Sequence, residues 1–396
     1  MDTDDVLRLL VAAEGSEATL RSTIDELGPG HVANLLTREI VFRARLGELA
    51  PRLSAPVGVS LDFRCAGRSF DATVVVEPSG VRIVEEEAEG QAVAVLAQDL
   101  DEAVRAVYGP YDLAARPTPS VRWPQTAVMA SAGQPGADLP SAFYPVVQRV
   151  FRSLTRGGQT ELAELAVECG TDKWSALHRY PEHYDRHFAP LRERRLKVLE
   201  IGVGGFTDPK LGAASLRMWK HYFPRAIVYG LDVEDKRVLD EPRVVTVRGD
   251  QSDWAVLTAL AERAGPFDIM IDDGSHVSAD VLASFRVLFD HLCPEGLYVI
   301  EDLQTSYWQP MFGGDDRDLT NPRHTMGFLK TLLDGLHHEE FLHADARRPQ
   351  PTDRWIRGMH FYHNLCFLEK GPNAEGAPFA EILRRWEVTG QGPSGT

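Results

Sequence analysis

At 396 residues and 44.0 kDa, the chain is too long for one ordinary domain and about right for two. Its composition, 43% hydrophobic, 25% charged and 9% aromatic, excludes disorder over most of the length. The 58 Asp and Glu outnumber the 42 Lys and Arg for a formal net charge of −16, which argues against nucleic acid as a partner and suits a small or neutral substrate.

Four cysteines, Cys65, Cys169, Cys293 and Cys366, show no CxxC spacing, which disfavours a zinc site and a disulfide scaffold alike. The amino terminus is acidic and carries no basic segment ahead of an apolar core. No apolar run approaches the roughly 18–20 residues that span a bilayer. The expected location is therefore cytoplasmic, with no membrane partner.

Residues 1–50 read as helical, with an apolar stripe at Leu9–Ala12 and another at Val32, Leu35, Leu36, Ile40 and Val41. The period then changes to that of strands at Val57–Phe63, Phe70–Val76, Val81–Val84 and Ala92–Ala97. A helix follows from Asp99 to Gly109. This pattern predicts a small auxiliary α+β domain over 1–115, with interaction or oligomerisation as its simplest role. Residues 116–150, rich in Pro with Ser, Gly and Ala, read as a linker in which Trp123 and Tyr144 pack on a surface.

From 151 to 396, strand and helix patterns alternate. Strands are predicted at Leu196–Gly202, Ala226–Asp232, Val244–Val247, Phe267–Asp273 and Leu297–Asp302, with helices at Ser215–Phe223, Trp254–Ala264 and Ala279–Leu292 between them. Continuous apolar strands joined by helical crossovers give a doubly wound parallel sheet, an α/β Rossmann-like domain.

Three clusters carry the chemistry. The first is the glycine loop after the first of these strands, with Glu200, Gly202, Gly204 and Gly205. Glycines there let the chain turn and a cofactor approach the backbone. The third glycine of a dinucleotide GxGxxG fingerprint is missing, and Asp232 lies 30 residues after Gly202, beyond the roughly 20 of that fingerprint. Both features favour S-adenosylmethionine over NAD. Asp232 is then a ribose ligand or a helix cap, and Asp250 with Gln251 contacts adenine or caps the following helix.

The second cluster is Asp273 with His276 at the end of the fourth strand and Glu301 with Asp302 at the end of the fifth. Neighbouring strands place these carboxylates about 5 Å apart. Their repulsion is relieved by a cation, and oxygen ligands suit Mg²⁺ or Mn²⁺ rather than Zn²⁺. His276 beside that metal is a candidate general base, Asp273 serving metal and cofactor alike. The plainer alternative has His276 capping a helix and the acids solvated. The third cluster, residues 170–188, holds Thr171, His178, Tyr180 and Tyr184. It reads as a surface that clasps cofactor or acceptor, or as a polar cap over the sheet. Tyr307 and Trp308 form a candidate substrate wall for the apolar face of a sugar, or else pack internally.

Taken in order, the motifs GTDK, VLEIGVGG, SLRMWK, YGLD, GDQ, FDIMIDDGSH, GLYVIED and YHN resemble those of the metal-dependent sugar O-methyltransferases of macrolide and polyketide antibiotic biosynthesis. The resemblance covers about residues 170–370. It implies a class I S-adenosylmethionine-dependent methyltransferase domain, a Mg²⁺ site at Asp273, Glu301 and Asp302, and His276 as base. It also implies a glycosylated polyketide as substrate and a homotetramer in which the auxiliary domain helps to close a neighbouring active site. A metal-dependent hydrolase on the same scaffold is the competing expectation, as is a non-catalytic binding protein. The hydrolase would leave the glycine loop and Asp232 without a ligand.

Overall fold

In the computed structural model the amphipathic stripes of the first fifty residues become α1 (Thr3–Glu14), α2 (Glu17–Leu27) and α3 (Pro29–Arg43). Ser16 caps α2 by accepting from Thr19 N at 3.2 Å, and Gly28, at φ +85°, ends it. The structure describes residues 3–84, 92–109, 119–131, 143–155, 161–223, 225–241, 243–309, 311–343 and 345–389. The acidic run at 85–87 and much of the expected linker lie outside these residues.

The alternating segments form β1 (Val57–Cys65), β2 (Arg68–Glu77), β3 (Gly80–Val84), β4 (Ala92–Asp99) and β5 (Ser120–Arg122), with α4 (Leu100–Tyr108) between the last two. They make one sheet in the order β3-β2-β1-β4-β5, in which β1 and β4 run parallel and the other pairs antiparallel. Val59, Leu61, Phe63, Val74 and Leu96 bury the face of this sheet. After α5 (Gln125–Ser131), α6 (Phe143–Thr155) lays Val146, Val147, Val150 and Leu154 into the same core, packing on α3, α4 and β1. The final helices of this unit are α7 (Glu161–Cys169) and α8 (Pro181–Phe188).

By compactness the chain divides into Met1–Ala189 and Pro190–Thr396. Residues 151–189 thus fold with the first unit, and α6 straddles the boundary that composition suggested at 150. Much of what reads as linker is structured. Pro145 occupies the first turn of α6, where a missing N–H costs nothing. Trp123 and Tyr144 do pack on a surface: their rings meet at 5.5 Å and lie 6.2 and 6.4 Å from that of Trp174.

The second unit is doubly wound. Its elements are β6 (Lys197–Ile201), α9 (Ala214–Tyr222), β7 (Ile227–Asp232), β8 (Val244–Arg248), α10 (Trp254–Ala264), β9 (Phe267–Asp272), α11 (Ser278–Leu288), β10 (Leu292–Ile300), α12 (Thr325–Leu336), β11 (Ile356–Tyr362), β12 (Leu365–Lys370) and α13 (Pro378–Thr389). The sheet order is β11-β12-β10-β9-β6-β7-β8, with β12 antiparallel to both neighbours and the other pairs parallel. The chain winds outward from β6 to β8, then returns to the other side of β6 as β9. The strand order therefore reverses between β6 and β9, and ligands of open α/β sheets bind in the crevice at the carboxyl ends of such a pair. Leu199, Ile201, Met270, Phe285, Tyr298 and Ile300 fill the core beneath it.

Candidate active site

The apolar run of β6 carries one charge inward. Glu200 is fully buried, and its Oε2 accepts from Ser215 Oγ at 2.8 Å and Trp219 Nε1 at 3.2 Å. This ties the strand to α9. The next residue but one must be glycine. Gly202 sits at φ +94°, and a Cβ there would lie 2.1 Å from the carbonyl oxygen of Asp273. Gly204, at φ +76°, faces open space, so its backbone is available for close approach by a ligand. Gly205 instead abuts the carbonyl of Leu211 at 2.1 Å from an imagined Cβ and closes the loop on itself.

Asp232, ending β7, accepts from the backbone N–H of Val203 at 3.0 Å and of Glu234 at 2.8 Å. Its carboxylate therefore shapes the glycine loop directly. Asp250 is exposed and accepts from Ser252 N at 2.8 Å and Ser252 Oγ at 2.7 Å, contacts that hold its carboxyl below the ordinary value. The cap of α10 is Asp253, which accepts from Ala255 N at 2.9 Å. Gln251 turns inward. Its Nε2 donates to Asp272 at 3.1 Å and its Oε1 accepts from Ser275 N at 2.7 Å, so it ties the end of β8 to the loop after β9. Gly274 is demanded by the same contact, since a Cβ would fall 2.0 Å from Gln251 Oε1.

The acids cluster at the carboxyl ends of β9 and β10, where Asp272 pairs with Ile300. Asp273, His276 and Asp302 bring ligand atoms within 4.8 Å of one another, as do Glu200, Asp273 and Glu301. The expected trio of Asp273, Glu301 and Asp302 is thus spread over two groups that share Asp273. A set dominated by carboxylate oxygens, with Glu301 4% exposed and Asp273 half-buried, fits a hard divalent cation such as Mg²⁺. His276 Nε2 lies 3.5 Å from Asp302 Oδ2. Both residues hold left-handed backbone, at φ +57° and +54°, a conformation uncommon outside glycine, though Asn, Asp and His are enriched in it, and one that gathers at functional sites. Asp302 is fixed there by its carbonyl, which accepts from Thr305 N at 3.0 Å and Thr305 Oγ1 at 2.8 Å.

Sequence reasoning missed Asp272. It is 2% exposed and accepts from Gln251 and, through a short bond, from Ser284, while burial pushes its carboxyl up to about 6. The first acid of an Ile-Asp-Asp strand end was the available signal, because alternation turns it inward when its neighbour faces the crevice.

Tyr307 is half-buried, and Trp308 is 50% exposed with its ring 6.0 Å from that of Phe312. The remaining predicted residues belong to the first unit. Thr171 is 8% exposed, and its Oγ1 accepts from Lys173 N at 3.4 Å. His178 is half-buried and stacks on Tyr180 at 4.6 Å. Tyr180 and Tyr184 are themselves buried, Tyr184 against Phe188 at 5.0 Å.

Residues 6–119 match the family model of the MycE methyltransferase N-terminal domain. The chain is 40% identical over 398 aligned residues, 98% of its own length and 97% of the relative's, to demethylmacrocin O-methyltransferase of Streptomyces fradiae. It is 43% identical over 379 residues, 94% of its length and 97% of the relative's, to 8-demethyl-8-alpha-L-rhamnosyl tetracenomycin-C 2'-O-methyltransferase of Streptomyces olivaceus. Among solved structures it is similar to the MycE methyltransferase from the mycinamycin biosynthetic pathway in complex with Mg, SAH and mycinamycin VI. The two share 36% identity over 95% of each chain, with a TM-score of 0.53.

Proposed function

This chain belongs to the sugar O-methyltransferases of macrolide and polyketide antibiotic biosynthesis, and from that premise we propose how its residues divide the work. It has the class I S-adenosylmethionine-dependent methyltransferase fold and methylates a deoxysugar hydroxyl of a glycosylated polyketide, with S-adenosylmethionine and Mg²⁺ as cofactors. The aglycone is left open by relatives of similar identity that are named for macrocin and for tetracenomycin.

When bound, S-adenosylmethionine supplies the electrophilic methyl group and Mg²⁺ the positive charge that acidifies a coordinated hydroxyl. The glycine loop with Gly204 receives the cofactor, and Asp232 takes its ribose hydroxyls while bracing the loop. Asp273, Glu301 and Asp302 hold the metal. His276 accepts the proton of the sugar hydroxyl at Nε2, and Asp302 beside it steadies the imidazolium that results. The juxtaposition of His276 and Asp302, both held in left-handed backbone at the edge of the acid cluster, is the observation that carries this assignment. Trp308 and Tyr307 offer the apolar wall against which the sugar ring is placed for in-line transfer.

A hydrolase reading finds no support among the relatives and leaves the open cradle at Gly204 and the carboxylate of Asp232 without a ligand. A chelator is expected to abolish turnover, and Mg²⁺ or Mn²⁺ to restore it, while binding of S-adenosylhomocysteine by calorimetry persists. Full methyl transfer in excess EDTA would overturn the metal assignment.

The enzyme acts as a homotetramer in the cytoplasm, assembled through its amino-terminal unit. Among the described residues, no helix is long and apolar enough to cross a membrane. Light scattering on the eluting protein is expected to give four times the 44.0 kDa chain mass, and a single chain mass would refute the assembly.

A further inference from the structure

We propose that Lys236 is a positioning residue for the cofactor loop, a buried cation that holds the loop's carbonyls while Asp232 holds its first amide. The inference rests on the reading that this loop receives S-adenosylmethionine. Lys236 is 1% exposed, although lysine is rarely buried unless its ammonium is satisfied. Its Nζ donates to the carbonyls of Phe206 at 2.8 Å, Asp208 at 2.6 Å and Leu211 at 3.1 Å, so all three N–H groups are used.

The loop those carbonyls belong to is closed at both ends. Ala213 N donates to Val203 O at 2.7 Å across its neck, and Asp232 Oδ2 accepts from Val203 N at 3.0 Å. Within it, Asp208 N donates to Gly205 O at 3.1 Å and Leu211 N to Asp208 O at 3.2 Å. Two residues four apart, Asp232 ending β7 and Lys236 beyond it, therefore grip opposite polarities of one loop, Asp232 its N–H and Lys236 its C=O groups.

Phe206 gives the grip its purpose. It holds φ +46°, a left-handed conformation unfavourable for an aromatic residue, and its side chain is 81% exposed, so packing does not keep it there. The Lys236 bond to its carbonyl does. A loop fixed in this way presents Gly204 to the ligand without an ordering cost at binding.

The test is Lys236→Met, which keeps the apolar stem and removes the donors, with Lys236→Gln as a second variant. With Mg²⁺ and acceptor saturating, the KM for S-adenosylmethionine and the Kd for S-adenosylhomocysteine are expected to rise about tenfold or more, the worth of a charged hydrogen bond. The acceptor's KM and kcat should stay within about threefold, because no reacting atom is touched. A cofactor KM that does not move in a folded variant would overturn the proposal, even if its melting temperature falls. Should neither variant fold, hydrogen exchange of the wild-type amides at 208 and 211 decides. Protection already present without ligand supports a loop held in advance, and protection that appears only with S-adenosylhomocysteine refutes it. A wild-type protein that binds no S-adenosylhomocysteine would sink the underlying reading instead.

Discussion

His276→Ala is expected to lower kcat by about two to four orders of magnitude, the usual worth of a positioned general base, while Mg²⁺ and S-adenosylmethionine still bind. Imidazole is a poor ligand for a hard cation among carboxylates, so its removal should leave the metal site intact. The ring stands 3.5 Å from Asp302, and its backbone is held at φ +57°, in the left-handed region that gathers at functional sites. The residual rate should climb with pH, as hydroxide replaces the missing base. Calorimetry for both ligands, beside a pH–rate profile of the variant, checks each part. Near-normal turnover at pH 7 would demote His276 to a cap and move the search for the base to the acids around it.

Asp273→Asn should produce a different defect. Among the described residues, Asp273 is shared by the two close groups of potential ligands at the ends of β9 and β10, so losing its charge weakens each at once. Turnover at a Mg²⁺ concentration that saturates the parent should fall by more than the roughly 10- to 100-fold that loss of an outer-shell partner costs, and excess Mg²⁺ should recover part of it. The parent's dependence on metal concentration then shifts to higher values, whereas that of His276→Ala stays in place. The side chain is isosteric, and the carbonyl that meets Gly202 is unchanged, so the fold should persist. A variant with normal metal dependence would remove Asp273 from the site.

The strands that build the crevice were legible because each is a buried apolar run that ends in an acid or a glycine. Val198–Ile201, Val228–Leu231 and Ile269–Ile271 have nowhere to go but the middle of a covered sheet. The hairpin of β11 and β12 was not read, since its insertion beside β10 depends on long-range pairing that no local pattern encodes. Pro145 misled for a local reason: a proline marks a break inside a helix but is welcome in its first turn.

At the site, the acids at the strand ends were legible, and the inward-turned Asp272 and Lys236 were not. Asp273, His276, Glu301 and Asp302 follow directly from strand ends, and the structure brings them into two groups joined at Asp273. Gln251 sits in the position expected of an adenine contact, yet it is buried between Asp272 and Ser275 and braces the loop. Lys236 looks from its neighbours Glu234, Asp235 and Arg237 like one more charge on a solvated turn, and only three-dimensional closure of the glycine loop sends it inward. The left-handed backbone of Phe206, His276 and Asp302 was likewise invisible, because sequence announces positive φ mainly through glycine.

The central claim is tested most directly by mass spectrometry of a panel of demethylated polyketide glycosides, incubated with the full chain, Mg²⁺ and S-adenosylmethionine carrying a trideuterated methyl group. The account predicts that at least one glycoside gains a single trideuteromethyl group, located on the sugar fragment, with one S-adenosylhomocysteine formed per product and no transfer when EDTA is present. Release of free sugar without methylation, or a label placed on the aglycone, would contradict it.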